Sequence, residues 1–156
     1  MSRVEDWQEV LTKKNLNERK EMKPFLQEVG HLLAADGALV LVQRPMIVVG
    51  SIFGQLLDLL RIFRARGLPP ISRYLFLGSY VDIGFHGVEC LFVLYALKLL
   101  YPSSIFLLRG AHEDIAMNGR YGFRLECTIY TCRTSLVHCT LNIGNLLRSR
   151  NVTMTS

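Results

Sequence analysis

Three short polar loops hold the residues whose types and spacing could do chemistry. They read GSIFGQ (Gly50 to Gln55), GSYVDIG (Gly78 to Gly84) and GAHED (Gly110 to Asp114), and they supply Ser51, Ser79, Asp82, His112, Glu113 and Asp114. A His with an Asp partner makes a good acid near neutral pH. A two-metal hydrolytic centre asks for more: several Asp, His or Asn donors from different loops, holding both ions and an activated water in line. The hydroxyls of Ser51 and Ser79 are poor ligands, and Phe53 and Ala111 are none. Asp82 and His112 alone do not hold a pair of metals.

Each loop follows a short apolar run that ends in glycine: PMIVVG (Pro45 to Gly50), RYLFLG (Arg73 to Gly78) and SIFLLRG (Ser104 to Gly110). Between them lie helical segments. QLLDLLRIFRARG places Leu56, Leu57, Leu60 and Phe63 on one side, and GVECLFVLYALKLLYP is strongly apolar and stops near Pro102. A further helical turn is expected after AHED. Continuous apolar runs alternating with helices imply a parallel sheet buried on both faces, and in such sheets the loops outside the carboxyl ends form the site.

Residues 1 to about 36 read as helical, with Val4, Trp7, Val10 and Leu11 at helical spacing and then Phe25, Leu26, Val29, Leu32 and Leu33 on one face. Pro24 suits a first helical turn and Asp36-Gly37 a stop. After Cys127 no firm period is visible, and the tail NVTMTS is expected to fray.

The chain has 156 residues, enough for one ordinary domain, and its 50% hydrophobic content excludes a wholly disordered chain. Lys plus Arg is 18 against 13 for Asp plus Glu, but these charges are scattered, which argues against a nucleic-acid partner. Cys90, Cys127, Cys132 and Cys139 lack a paired CxxC arrangement, and His138 beside Cys139 does not complete a zinc pattern. The run ALVLVQRPMIVVG is interrupted by Gln43, Arg44 and Pro45 and falls short of the roughly 20 residues a bilayer needs, so no membrane partner is expected. The N-terminus has no apolar core of a signal peptide. Free thiols in a reducing compartment, cytoplasm or nucleus, are the expectation, and the Asn151-Val152-Thr153 pattern is expected to go unused.

Taken together, GQLLDLLRIF, RYLFLGSYVDIG, YPSSIFLLRGAHE and YGFRLEC resemble the metal-dependent serine/threonine protein phosphatases. That branch of the calcineurin-like metallophosphoesterases is typified by protein phosphatases 1 and 2A and calcineurin, and its loops read GDxHGQ, GDxVDRG and GNHE. The likeness runs from about Pro45 to Cys127. It implies an α/β fold, the N-terminal half of a metallophosphoesterase sandwich with a parallel βαβαβ core and preceding helices. The expected divisions are a helical region at 1–40, a partial metallophosphoesterase domain at 41–127 and a divergent segment at 128–156. The resemblance also implies truncation, since the family's two later metal histidines and second sheet lie beyond this likeness.

The resemblance assigns roles one by one. Ser51 stands where a metal-ligating aspartate belongs, Phe53 where a metal-ligating histidine belongs, Ser79 at the bridging aspartate and Ala111 at an asparagine that ligates metal and touches phosphate. Ile83 replaces a phosphate-clamping arginine, and Gly119 stands near another family arginine. His112 matches the histidine that protonates the leaving alkoxide, and Asp82 the aspartate that orients it. The family uses two divalent metals such as manganese, iron or zinc; here no cofactor is expected. The implied function is that of an inactive pseudophosphatase with a regulatory or scaffold role, met by phosphatase regulatory subunits or phosphoprotein substrates. The alternatives are a working phosphoric monoester hydrolase, as the family alone would imply, and a fragment unstable by itself.

Structural readings of the same residues stand beside these. Asp82 is suited to accept backbone N–H bonds and cap the following helix. Arg109 is suited to pair with a carboxylate under the loops, and Glu113 with Asp114 to form a helix N-terminal acidic pair. Ser51 and Ser79 are suited to bond one another's loops, Phe53 to fill the space metals would take, and Tyr121 and Phe123 to serve as core or platform aromatics.

Overall fold

The computed structural model describes residues 22–37, 39–131, 147 and 151–155. Helix α1 (Met22–Ala35) carries Phe25, Leu26, Val29 and Leu33 inward, the helical period of its apolar residues. Pro24 lies in its first turn, where a missing N–H costs nothing, and Gly37 closes it with φ 74°. The helical pattern expected before residue 22 lies outside the described residues, as do Cys132, His138 and Cys139.

The central sheet is parallel, with order β2-β3-β4: β2 (Ile47–Val49), β3 (Tyr74–Phe76) and β4 (Ile105–Leu107). Ile47 faces Tyr74, and Tyr74 faces Ile105, so the strands end level and their loops leave at one edge. Tyr74, Leu75 and Phe76 are all buried, as a central strand covered on both faces requires. Helices α2 (Leu56–Arg66) and α3 (Gly87–Leu100) are the crossovers, and the α/β architecture read from the alternating runs is the one observed. No helix among the described residues is long and apolar enough to cross a membrane.

Three details differ from the sequence reading. On α2 the buried pair is Leu59 and Phe63, four residues apart, while Leu57 is 67% exposed. Leu57 sits two residues from Leu59 and so points to nearly the opposite side of the helix. The run before Pro45 forms a strand of its own, β1 (Leu39–Gln43), with Val40 and Val42 inward and Leu39 and Leu41 outward. The tail expected to fray is instead strand β5 (Asn151–Thr155), paired parallel to β1 from Leu39 against Asn151 to Gln43 against Thr155. Val152 and the threonines suit an extended backbone, and the ladder offered by β1 decides the outcome.

Helix α3 is buried nearly all round, which follows from its almost unbroken apolar sequence. The buried cation on it, Lys98, is fully satisfied. Nζ lies 2.9 Å from an Asp36 carboxylate oxygen and donates to the carbonyls of Pro102 at 2.9 Å and Ile105 at 3.0 Å. That contact joins the end of α1 to α3 and β4. The Cys90 and Cys127 side chains are buried. Cys90 is pushed up to about 12 by burial, with Glu89 and Glu126 adding to the effect, so it stays a neutral thiol.

Candidate functional site

The three loops converge at the carboxyl edge of the sheet and are stitched together chiefly through main-chain atoms. The Ser79 carbonyl accepts from the N–H groups of Ile52 and Phe53, both at 3.0 Å, and the Tyr80 carbonyl accepts from Gly54 at 2.7 Å. Gly84 donates back to the Phe53 carbonyl at 2.8 Å. The link expected between the loops of Ser51 and Ser79 thus runs through the Ser79 backbone. The second and third loops touch at Gly78 and Gly110, where a Cβ on Gly78 would lie 2.1 Å from the Gly110 nitrogen. No other residue permits that approach.

Four residues other than glycine hold left-handed backbone here: Phe53 (φ 51°), Ser79 (φ 57°), Asp82 (φ 66°) and Ile83 (φ 63°). Such conformations cost about 1 kcal/mol or more each and survive where surroundings over-determine them. For a β-branched residue such as Ile83, a positive φ is a genuine outlier. The loop path is therefore imposed by its contacts, not by local preference.

The structure brings His112, Asp82 and Phe53 together. His112 Nδ1 lies 2.9 Å from Asp82 Oδ2, and Asp82 is completely buried. The imidazole meets the Phe53 ring edge-on at 5.0 Å between centroids and the Tyr121 ring at 5.2 Å. The other Asp82 oxygen accepts the Phe123 N–H at 2.9 Å. Asp82 therefore caps α5 (Phe123–Thr131), not the α3 helix that follows it in sequence. The α3 N-terminus is served by Glu126, whose Oε1 accepts from Val88 N–H at 2.8 Å. Sequence reasoning passed over Glu126, though it lies in the apolar setting of YGFRLEC.

Glu113 and Asp114 part company. Asp114 caps α4 (Ile115–Tyr121) by accepting from Ala116 N–H at 2.9 Å, and Arg109 reaches it at 3.0 Å, the carboxylate pairing expected of that arginine. Glu113, at the end of the 3-10 turn Ala111–Glu113, is wholly buried and turns inward instead. Its Oε2 accepts from Ser79 and Gly110 N–H, both at 2.8 Å, and its Oε1 from Tyr80 N–H at 2.7 Å. Burial raises its carboxyl above the ordinary value, while the Tyr80, Ser79 and Gly110 N–H groups and His112 pull the other way. Tyr80, also missed in the sequence, donates its hydroxyl to the Leu108 carbonyl at 2.7 Å. Phe123 is a core aromatic, and Tyr121 is half exposed as a platform beside His112.

These side chains do not fit a pair of metal ions. Ser51, Phe53, Ser79 and Ala111 bring no carboxylate, imidazole or amide to the loops. Both Asp82 oxygens are already engaged, one with His112 and one with a backbone N–H. Among the described residues, no group of three or more His, Cys, Asp and Glu side chains is gathered to hold an ion.

No protein-family model matches the chain. It is similar to the serine/threonine-protein phosphatase PP1-delta of Caenorhabditis elegans, with 46% identity over 96 residues, covering 62% of this chain and 32% of the relative. It is 40% identical over 124 residues to serine/threonine-protein phosphatase PP1-1 of Saccharomyces cerevisiae, covering 79% of this chain and 40% of that one. A protein phosphatase 2A catalytic subunit of Dictyostelium discoideum is 41% identical over 119 residues, at 76% and 38% coverage. The chain thus spans between 32% and 40% of the length of these relatives. Among solved structures, a Saccharomyces cerevisiae protein serine/threonine phosphatase with similarity to human phosphatase PP5 superposes with a TM-score of 0.78 at 29% identity, covering 90% of this chain and 49% of that one. With that identity and that shared backbone, the chain belongs to the calcineurin-like serine/threonine phosphatase family and carries the N-terminal part of its fold in degenerate form.

Proposed function

We propose that this chain is a catalytically inactive member of its family, a pseudophosphatase that acts by binding. One observation carries the reading: the three loops converge and hold the His112–Asp82 pair, while Phe53 packs its ring on His112 and none of Ser51, Phe53, Ser79 and Ala111 offers a strong metal donor. An acid with no activated nucleophile beside it has nothing to assist. Regulatory subunits or phosphoprotein substrates that meet active relatives are the partners this surface would attract.

The second reading is a working metal-dependent phosphoric monoester hydrolase, and the 2.9 Å His112–Asp82 contact is what favours it. One experiment separates the two. Metal content of the purified chain is measured by mass spectrometry, and turnover of an aryl phosphate is followed in added manganese. Absence of both is expected; two bound ions with turnover abolished by His112→Ala would sink the inactive reading.

A further inference from the structure

The loops are bonded to one another although their side chains do not suit metals, and we infer that the buried Glu113 carboxylate is the residue that assembles them, so that the cluster closes without metal. This deepens the reading above and rests on it in taking the site as metal-free. Glu113 is 0% exposed, and among the described residues it forms no ion pair with a Lys or Arg. A carboxylate in that position is costly unless its oxygens are filled by donors. The N–H groups of Ser79, Tyr80 and Gly110 fill them at 2.7 to 2.8 Å, bonds of the charge-assisted kind.

The connection extends one step further. The two peptide units whose N–H groups Glu113 holds in the second loop, at Ser79 and Tyr80, belong to the residues whose carbonyls receive the first loop. Ser79 O accepts from Ile52 and Phe53, and Tyr80 O from Gly54. Glu113 in the third loop therefore fixes the second directly and the first through it. The left-handed φ of Ser79, 57°, lies at the centre of this arrangement, which supplies the over-determination that such a backbone needs. Glu113 is a positioning residue in this account: it acts on Phe53 and His112 only through the loop backbones.

The test is residue-resolved amide hydrogen exchange of the full chain by NMR. In the unaltered protein, protection at Ser79, Tyr80, Gly110, Ile52, Phe53 and Gly54 is expected to be the same in chelator and in added zinc. A dependence on zinc of about tenfold or greater, the effect of one lost buried hydrogen bond, would overturn the inference. Glu113→Gln puts an NH2 where an acceptor stood. It is expected to speed exchange about tenfold or more at those six amides while Leu75 and Phe106 in the strands keep their protection. A change confined to Gly110, or an equal loss in loops and strands, would count against it. If the variant fails to fold, the chelator and zinc comparison on the unaltered chain decides alone. Aryl phosphate turnover with unchanged loop exchange would overturn the inactive reading and leave the Glu113 assembly standing; zinc-dependent exchange without turnover would do the reverse.

Discussion

The Phe53 ring stands edge-on to the His112 imidazole, with centroids 5.0 Å apart and planes at 84°. Edge-to-face pairs are worth about 0.5 to 1.5 kcal/mol beyond the area they cover. Phe53 is half-buried, so Phe53→Ala is expected to cost about 1 to 2 kcal/mol, read from the urea midpoint. The same variant is expected to gain no bound metal. Were Phe53 merely a plug in a competent site, its removal would let ions in; the loops lack the donors, so metal content should not change.

Ile83 offers the opposite sign. It is 61% exposed yet carries a φ of 63°, which a β-branched side chain tolerates poorly. Asn adopts this conformation readily and, unlike Gly, adds little freedom to the unfolded chain. Ile83→Asn should stabilise the protein by about 0.5 to 1 kcal/mol, visible as a raised denaturation midpoint. A loss of stability would mean that the Ile83 side chain makes contacts worth more than the strain it bears.

The core of this fold was legible because its signals are local. Tyr74, Leu75 and Phe76 form an unbroken apolar run before a glycine, and α1 shows its buried face at helical spacing. The loops could be placed at one sheet edge for the same reason. What escaped was whatever depended on partners distant in sequence. The Asn151–Thr155 strand exists because β1 lies beside it, more than a hundred residues earlier. Glu113 reads as an ordinary helix-start acid until Ser79 and Tyr80, 34 and 33 residues away, turn their N–H groups toward it. Asp82 caps a helix 41 residues on because the Phe123 N–H, not that of α3, arrives at its oxygen.

Two buried tyrosines make a paired test. The Tyr80 hydroxyl donates to the Leu108 carbonyl at 2.7 Å, so Tyr80→Phe should cost about 1 kcal/mol by leaving that carbonyl short of a donor. The Tyr95 hydroxyl is buried in α3 and, among the described residues, has no hydrogen-bond partner. Tyr95→Phe removes a polar atom that burial penalises, and it should be neutral or stabilising by up to about 1 kcal/mol. Thermal or urea melts of both variants check the contrast, and equal losses would contradict it.

Glu126 supplies a pH dependence whose sign can be fixed. Burial raises its carboxyl above the ordinary 4.5, and Glu89 adds to that, while the N–H groups of Val88 and Gly87 and the nearby His86 lower it. The folded chain thus holds this proton more tightly than the unfolded one. The stability this contributes is present below the ordinary value and is lost as pH rises through the raised folded value. Glu126→Gln keeps an oxygen for the Val88 N–H but has no proton to lose. Relative to that variant, the unaltered chain should lose stability as pH rises above the ordinary carboxylate value and through the raised folded one, measured as the difference in urea unfolding free energy at each pH. A difference that stays flat, or grows in favour of the unaltered chain as pH rises, would show that Glu126 ionises in the fold as easily as in water.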